Sequence, residues 1–325
     1  MSYYECHGHI FMDGHVFKEA MELHRGGVVR EVIDERLTLL REAGVTYYRD
    51  GGDRLGASLY ARSRAEEYGI EYRSCAFGTH KRHQYGGLVG LPFDTAKDFR
   101  GLVALAKEQK ADFIKLMISG IMDFQSFGGL MGGGLELSEI PELIKIAHGE
   151  GFRVMAHVNG AARIKTALEA GLDSVEHGYF MDDECLRLLK ETGAVWVPTL
   201  AATAGFAGRS GFVQGVAEAN LRHACLNLRK AKALGVLVAA GSDAGAVNVP
   251  PDRGIHIEHT LLAAAGLAPE DIRAGDEAIR ARFVPEMEEP PPAQSRSARR
   301  SPPWPPGWAP RRRRSPSGGP GIPRP

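Results

Sequence analysis

Apolar runs rich in β-branched residues alternate with amphipathic stretches along the first 283 residues of the chain. The stretches between the apolar runs have helical periodicity, as in VVREVIDERLTLLREAG and ANLRHACLNLRKAKALG. The predicted strands cover residues 3–10, 45–50, 71–77, 112–118, 153–158, 173–177, 195–200 and 236–243. Eight strand–helix units predict an α/β fold, the (β/α)8 TIM barrel, as a single domain. A doubly wound open sheet is the main alternative, but no phosphate-binding GxGxxG follows the first strand.

Polar residues lie near the carboxyl ends of several predicted strands. Lys115, His157 and Asp243 each lie opposite an apolar face, because successive side chains of a strand point to opposite sides. In a barrel, the apolar face packs against the helices, and inward residues near the carboxyl ends carry the chemistry. The run SVEH fits less well, since Glu176 falls on the nominal outer face. The pattern predicts a polar site at one end of the barrel.

The composition changes abruptly near residue 284. Residues 285–325 contain 13 of the 19 prolines and two of the three tryptophans, with no apolar period. So many prolines exclude helix and interior strand. We therefore expect residues 1–283 to form the barrel domain and 284–325 to be a disordered Pro/Arg-rich tail, consistent with a non-native extension. A basic interaction tail of polyproline II type is the alternative.

Charge and cysteine content exclude several classes of protein. Forty basic and forty acidic residues cancel, which disfavours a nucleic-acid binder held by bulk charge. No apolar run approaches the ~18 residues of a membrane span, and the first residues lack the core of a signal peptide. The four cysteines are scattered and form no CxxC pair. We expect a cytoplasmic enzyme with a small-molecule substrate and no nucleic-acid or membrane partner. A homo-oligomer is compatible with these observations.

The first and fourth predicted strands carry candidate metal ligands. His7 and His9 are two residues apart, so both imidazoles project to the same side. Lys115 is unusual, because lysine is rarely buried unless paired and a protonated amine has no lone pair for a cation. A lysine condensed with CO2 becomes a carbamate, an anionic ligand able to bridge two metals. Satisfied histidines and a snorkelling lysine are the alternative interpretations.

Three further residues complete this pattern. His157 and His177 lie at the ends of the fifth and sixth predicted strands, and Asp243 ends the eighth. Taken singly, each has an ordinary explanation, such as a core histidine or a capping aspartate. Six such residues at the carboxyl ends of barrel strands predict a metal site.

Five segments resemble one enzyme family. They are GVTYYRDGG (44–52), DFIKLMISG (112–120), AHVNGAARIKTALEAGLDSVEHG (156–178), WVPTL (196–200) and GSDAG (241–245). With the HxH pair, they resemble the binuclear amidohydrolase superfamily, in its imidazolonepropionase-like and prolidase-like branch. The resemblance runs through residues 5–283. Members of this branch commonly add a small β-sandwich, for which this sequence supplies no strands, so a barrel-only member and a chain incomplete at both ends both stay open.

The resemblance implies two divalent ions, with zinc favoured, and a CO2-derived carbamate on the lysine. The implied metal ligands are His7, His9, Lys115, His157, His177 and Asp243. The HxH pair and Asp243 would hold one ion, the other two histidines would hold the second, and Lys115 would bridge both.

This site predicts a hydrolase that cleaves an amide-type C–N bond by metal-bound hydroxide. The expected substrate classes are dipeptides, N-acyl amino acids and related amides. Asp243 is expected to carry a proton to the leaving nitrogen. A lactonase or phosphoesterase using the same site is the second interpretation. Superfamily deaminases usually lack the bridging lysine, so Lys115 disfavours a deaminase. A metal-free barrel that serves as a scaffold or binding protein is the alternative from another class.

Two loops on the predicted catalytic face are candidates for substrate contact. The segment THKRHQYGGLVG could hold a substrate carboxylate, unless it is only a solvated loop. Its candidate contact residues are Lys81, Arg82, His83 and Tyr85. The segment SGIMDFQSFGGLMGGG suits a mobile apolar lid or a long connection.

Overall fold

The computed structural model describes residues 2–208, 213 and 215–284 of the chain. The predicted tail, apart from its first residue, lies outside these described residues. The strands are β1 (Tyr3–Gly8), β2 (Val45–Asp50), β3 (Glu71–Ser74), β4 (Gly78–Lys81), β5 (Gly90–Phe93), β6 (Ile114–Met117), β7 (Ile121–Met122), β8 (Leu130–Met131), β9 (Val154–Val158), β10 (Ser174–His177) and β11 (Val195–Val197).

Helices follow most of the strands, as the sequence periodicity predicts. They are α1 (Phe17–Leu23), α2 (Arg30–Glu42), α3 (Ala57–Arg64), α4 (Ala96–Glu108), α5 (Ile140–Gly149), α6 (Ala161–Glu169), α7 (Asp183–Thr192), α8 (Leu200–Ala204), α9 (Val216–Leu234), α10 (Gly254–Ala264) and α11 (Pro269–Arg282). A short 3-10 helix, Ala65–Tyr68, follows α3. Within the described part of the chain, no helix is both long enough and apolar enough to span a membrane.

The larger strands form two parallel sheets. One has the order β1-β2-β3, and the other has the order β11-β10-β9-β6-β4-β5. The short strands β7 and β8 pair as an antiparallel hairpin. Parallel strands connected through helices define the α/β class, in agreement with the sequence prediction.

Backbone hydrogen bonds and isolated bridges connect the edges of the two sheets. The Asp112 N–H, just before β6, donates to the carbonyl of Ser74 in β3 over 2.8 Å. On the other side, the segment 236–244 bridges β11 through Val238 and bridges β1 through Ala244. The predicted eighth strand, 236–243, is therefore represented by isolated bridges and not by a regular ladder.

The third predicted strand, 71–77, is shorter than expected, because β3 covers only Glu71–Ser74 and a second strand, β4, begins at Gly78. Ala76 has a φ of 64°, in the left-handed region, and this break separates β3 from β4. β3 pairs with β2, whereas β4 pairs with β6 and with β5. β4 overlaps the segment THKRHQYGGLVG and β5 begins at its last residue, whereas the sequence analysis expected a loop there. Alternation along a strand cannot reveal such a break, because alanine is compatible with an unbroken strand.

Apolar side chains fill the space between the sheets at the amino ends of the strands. One buried cluster joins residues of β1, β2, β9 and β11 to Ile279 of α11 and to Phe283 just after it. The ring of Phe283 packs edge-on against Phe113, with 5.4 Å between the ring centroids. α11 thus covers the amino ends of the strands, and the carboxyl ends remain for a site.

Candidate active site

The six residues predicted as metal ligands line a single cavity at the carboxyl ends of the strands. Its volume is about 540 Å³. The six lining residues are His7, His9, Lys115, His157, His177 and Asp243. They come from β1 and the residue just after it, from β6, β9 and β10, and from the segment after Val238, so distant parts of the sequence converge here.

Nitrogen and oxygen atoms of these residues lie within a few ångströms of one another. Asp243 Oδ1 is 3.4 Å from His9 Nε2 and 3.6 Å from His7 Nε2. Lys115 Nζ is 3.3 Å from His7 Nε2. One ligand atom each from His7, His177 and Asp243 lie mutually within 4.8 Å, which is a spacing that a cation can share. The ring centroids of His157 and His177 are 4.5 Å apart.

Unusual backbone conformations turn two of these side chains into the cavity. His177 and Asp243 have φ values of 65° and 63°, in the left-handed region that non-glycine residues rarely adopt. Because the backbone turns at His177, Glu176 and His177 reach the same cluster instead of opposite faces. Glu176 is fully buried, and its Oε2 lies 2.8 Å from His7 Nδ1. The expectation that Glu176 faces outward was therefore wrong.

Each imidazole has one ring nitrogen engaged by the surrounding protein. His177 Nδ1 lies 2.6 Å from Thr199 Oγ1, and His157 Nε2 lies 3.0 Å from the carbonyl of Gly120. His9 Nδ1 lies 3.4 Å from the carbonyl of Gly52. These contacts fix the ring orientations and leave the other nitrogen of each ring for a ligand.

Burial sets the protonation states in the cavity. Burial and the nearby Lys115 lower the pKa of His9 and the pKa of His157 to about 3. Burial also holds the pKa values of His7 and His177 well below the ordinary value. These imidazoles are neutral at pH 7 and keep a lone pair, as a metal ligand must.

The pKa values of the lysine and of the carboxylate are shifted in opposite directions. Burial lowers the pKa of Lys115 to about 8, and burial raises the pKa of Asp243 to about 6. Both groups therefore exchange protons near neutral pH. Neutral imidazoles with a carboxylate are a donor set that suits zinc and related divalent ions. The chemistry of the cavity fits such ions.

The structure separates the four candidate substrate-contact residues. The ammonium of Lys81 forms an ion pair with Glu139, and Arg82 Nε lies 2.7 Å from Asp94 Oδ2. His83 is exposed. Tyr85 alone among the four lines the cavity, with its ring centroid 4.8 Å from that of His157. The two cations are thus engaged by carboxylates outside the described cavity wall.

Most of the cavity wall was not predicted. It is formed largely by apolar side chains from loops, strand ends and the start of α1: Met12, Phe17, Leu88, Val89, Met117, Ile121, Met122 and Phe124. The β7–β8 hairpin contributes three of these residues, Ile121, Met122 and Phe124. The Phe/Met content of its segment was the available signal, and the sequence analysis interpreted it as a lid or a connection. Asn159 and Tyr179, which also line the cavity, carried no separate sequence signal.

Comparison with known proteins identifies the family of this chain. The sequence model of the amidohydrolase family matches residues 3–275, and the chain belongs to the amidohydrolase family. The family resemblance found in the sequence is confirmed.

The individual relatives match over shorter segments. An ochratoxinase of Aspergillus niger is 30% identical over 167 residues, which are 46% of this chain and 32% of that protein. An uncharacterized protein of Mycobacterium tuberculosis is 35% identical over 124 residues, which are 37% of this chain and 32% of that protein. The matched segments thus span about a third of the length of these curated relatives.

Solved structures share the fold over most of the chain. The crystal structure of A. niger ochratoxinase superposes with a TM-score of 0.71 at 21% identity, covering 87% of this chain and 71% of that chain. A Xaa-Pro dipeptidase with bound methionine superposes with a TM-score of 0.70 at 19% identity, covering 86% and 75%.

Proposed function

We propose that this protein is a metal-dependent hydrolase that cleaves an amide-type C–N bond, using two divalent ions, with zinc favoured, on a (β/α)8 barrel. The observation that carries the proposal is the convergence of neutral, buried imidazoles with Asp243 and Lys115 around one cavity. The similarity to an ochratoxinase and to a Xaa-Pro dipeptidase is consistent with it.

The proposed ligands are the six residues of the cavity that the sequence analysis singled out. Divalent ions held there would polarise the scissile carbonyl and make a water molecule acidic enough to attack it at neutral pH. Lys115 Nζ, in its neutral form, adds to CO2 with loss of a proton and gives a carbamate with two ligand oxygens. Its pKa of about 8 supports this reaction, because a substantial fraction of the amine is neutral at pH 7 to 8.

Asp243 is the proposed proton carrier. It accepts a proton at Oδ1 from the attacking water and delivers it to the leaving nitrogen, which must be protonated to depart. A carboxylate with a pKa of about 6 can accept and release a proton near neutral pH. Its Oδ1 lies in the cavity wall, 3.6 Å from His7 Nε2 and 3.4 Å from His9 Nε2.

The cavity wall supports a substrate with an apolar group beside the scissile bond. Phe124 and Met117 line the cavity with other apolar side chains, and burying such a group against them is favourable. Tyr85 adds a hydroxyl that makes no hydrogen bond to the described residues and could donate to the substrate carbonyl. Burial raises the pKa of Tyr85, so its hydroxyl keeps the proton that it would donate.

Metal analysis of the purified full chain tests the proposal. We expect about two equivalents of divalent metal per chain, and His177→Ala should lose at least one equivalent and reduce amide hydrolysis at least 10³-fold. His148→Ala is the matched control, because His148 pairs with Asp173 outside the cavity and should leave both quantities unchanged. A folded His177→Ala variant with full metal content and normal rates would contradict the assignment.

A substrate panel tests the chemical class. Aromatic N-acyl amino acids and aryl amides should be hydrolysed with kcat/KM at least 10-fold above that of N-acetyl analogues. Phe124→Ala should reduce this preference, whereas Leu226→Ala, at an exposed position, should not. Preferential turnover of lactones or phosphoesters would replace the amidase proposal with the second interpretation.

A further inference from the structure

Two fully buried, oppositely charged side chains lie beneath the cavity and take no part in the chemistry proposed above. Arg49 of β2 and Glu176 of β10 are each about 0% exposed. Arg49 Nη2 lies 2.8 Å from Glu176 Oε1. Burying two charges is costly, so an ion pair here calls for a role beyond stability.

The two oxygens of Glu176 have different partners. Oε1 accepts hydrogen bonds from Arg49 Nη2 and from the Ser174 hydroxyl, which is 2.5 Å away. Oε2 lies 2.8 Å from His7 Nδ1, its partner among the described residues. Arg49 is itself held by the carbonyl of Cys6, over 2.7 Å, and by the ring of Phe283, whose centroid is 4.4 Å from the guanidinium carbon. The orientation of the carboxylate is thus determined on both sides.

This arrangement determines which nitrogen of His7 carries the proton. An ionised carboxylate can only accept hydrogen bonds, so the proton between the two groups belongs to His7 Nδ1. The lone pair of the neutral ring is then on Nε2. That nitrogen faces Lys115 Nζ at 3.3 Å and Asp243 Oδ1 at 3.6 Å, in the cavity.

We propose that Glu176, oriented by Arg49, is a positioning residue that fixes His7 in the Nδ1–H tautomer and presents its Nε2 lone pair to the cavity. The part of this inference that concerns a metal rests on the proposed function, whereas the tautomer does not. Arg49 also balances the charge of Glu176, so the pair orients the histidine without adding net negative charge beneath the site.

Nitrogen-15 NMR of the histidine rings in the metal-free full chain tests the tautomer. His7 in the wild-type chain should show a protonated Nδ1 and an unprotonated Nε2, with the signals assigned through their loss in His7→Asn. A wild-type Nε2–H tautomer would overturn the inference, whatever happens to any variant of Glu176.

Glu176→Gln is the sharpest variant, because it keeps the shape and removes the charge. Arg49 can only donate, so the amide oxygen should face Arg49 and the amide NH2 should face His7 Nδ1. His7 must then accept at Nδ1 and carry its proton on Nε2. We expect this tautomer switch in the spectrum and a 10–100-fold loss of zinc affinity in a competition titration, the range found for such supporting residues.

Asp173→Asn provides the matched control. Asp173 Oδ2 lies 2.8 Å from His148 Nε2, outside the cavity, so this variant should change only the His148 signals and leave zinc affinity unchanged. A folded Glu176→Gln variant that retains the Nδ1–H tautomer and full zinc affinity would refute the inference. Absence of zinc binding in the wild type would refute the proposed function and leave the tautomer to be judged by NMR.

Discussion

Lys115 is the residue whose chemistry depends most on its surroundings. Its ammonium would be an unsuitable neighbour for a cation, yet it lies among the imidazoles of the cavity and is 1% exposed. Burial lowers its pKa to about 8, which makes the neutral amine available to CO2. Metal reconstitution of the apoprotein should therefore depend on CO2, with higher recovered activity in bicarbonate-containing than in CO2-depleted buffer.

The Lys115→Ala variant tests whether the CO2 dependence arises from this lysine. Lys115→Ala should be inactive in either buffer, and a short carboxylic acid such as propionate should restore part of the activity by placing a carboxylate in the gap. Metal content would be measured alongside the rates. Equal reconstitution with and without CO2, or wild-type electron density showing a bare amine with two bound metals, would contradict the carbamate.

Asp243 offers a second test at the residue scale, because its proposed role depends on the leaving group. Asp243→Asn retains one oxygen donor but cannot carry the proton. Turnover of ordinary amides should fall by on the order of 10²–10⁴, the range for general acid–base catalysis. Activated aryl esters, whose leaving groups depart unprotonated, should lose less. Equal losses on both substrate types at unchanged metal content would leave Asp243 a ligand only.

At the scale of elements, alternation along the strands predicted that Lys115 and His157 face the cavity, but it did not predict the residues that support them. It located Lys115 and His157 correctly within their strands, because β6 and β9 are regular where these residues lie. It failed at β10, where the left-handed turn at His177 brings Glu176 inward. A two-residue period assumes extended backbone throughout, so it gives the wrong side-chain direction where the backbone at a strand end is not extended. The contacts of Arg49 were not predicted for another reason, because the sequence does not show which strands are neighbours.

The contact between α10 and α8 provides a prediction about stability. Glu258 of α10 is fully buried, and its Oε2 accepts a hydrogen bond from the Ala201 N–H, in the first turn of α8, over 2.7 Å. Its Oε1 has no hydrogen-bond partner within the described residues. Burial raises the pKa of Glu258 to about 8, so the folded state holds this side chain protonated at neutral pH.

The direction of the pH dependence follows from this pKa. The unfolded chain releases the proton near pH 4.3, so the stability that the protonated form contributes is full below that pH. It is lost as the pH rises toward 8. Glu258→Gln keeps an acceptor for Ala201 and never ionises, so its unfolding free energy should fall less than that of the wild type between pH 5 and 9.

Chemical denaturation at several pH values would measure the difference. Glu270→Gln, at an exposed position in the first turn of α11, is the control and should follow the wild-type curve. Wild-type and Glu258→Gln curves that stay parallel across this range would show that Glu258 is ionised in the folded protein.

On the scale of the whole molecule, α11 and Phe283 connect the end of the described chain to the site. Phe283 is fully buried between Phe113 and the guanidinium of Arg49, and Arg49 holds Glu176 beneath the cavity. The composition of the sequence is sufficient to distinguish the residues before 284 from those after it. It could not show that Phe283, at that boundary, packs against the residues that support the site.

The role of residues 285–325 can therefore be tested by comparing their removal with the loss of the Phe283 ring. Their proline- and arginine-rich composition offers little apolar surface for docking, so truncation after Val284 should leave melting temperature and activity nearly unchanged. Phe283→Ala in the full chain should instead lower the unfolding free energy by about 3–5 kcal/mol, the usual cost of removing a buried aromatic ring. It should also reduce activity, because Arg49 loses a packing partner. If the truncated chain loses as much stability as Phe283→Ala does, the tail must pack on the body, and the domain boundary predicted near residue 284 would be wrong.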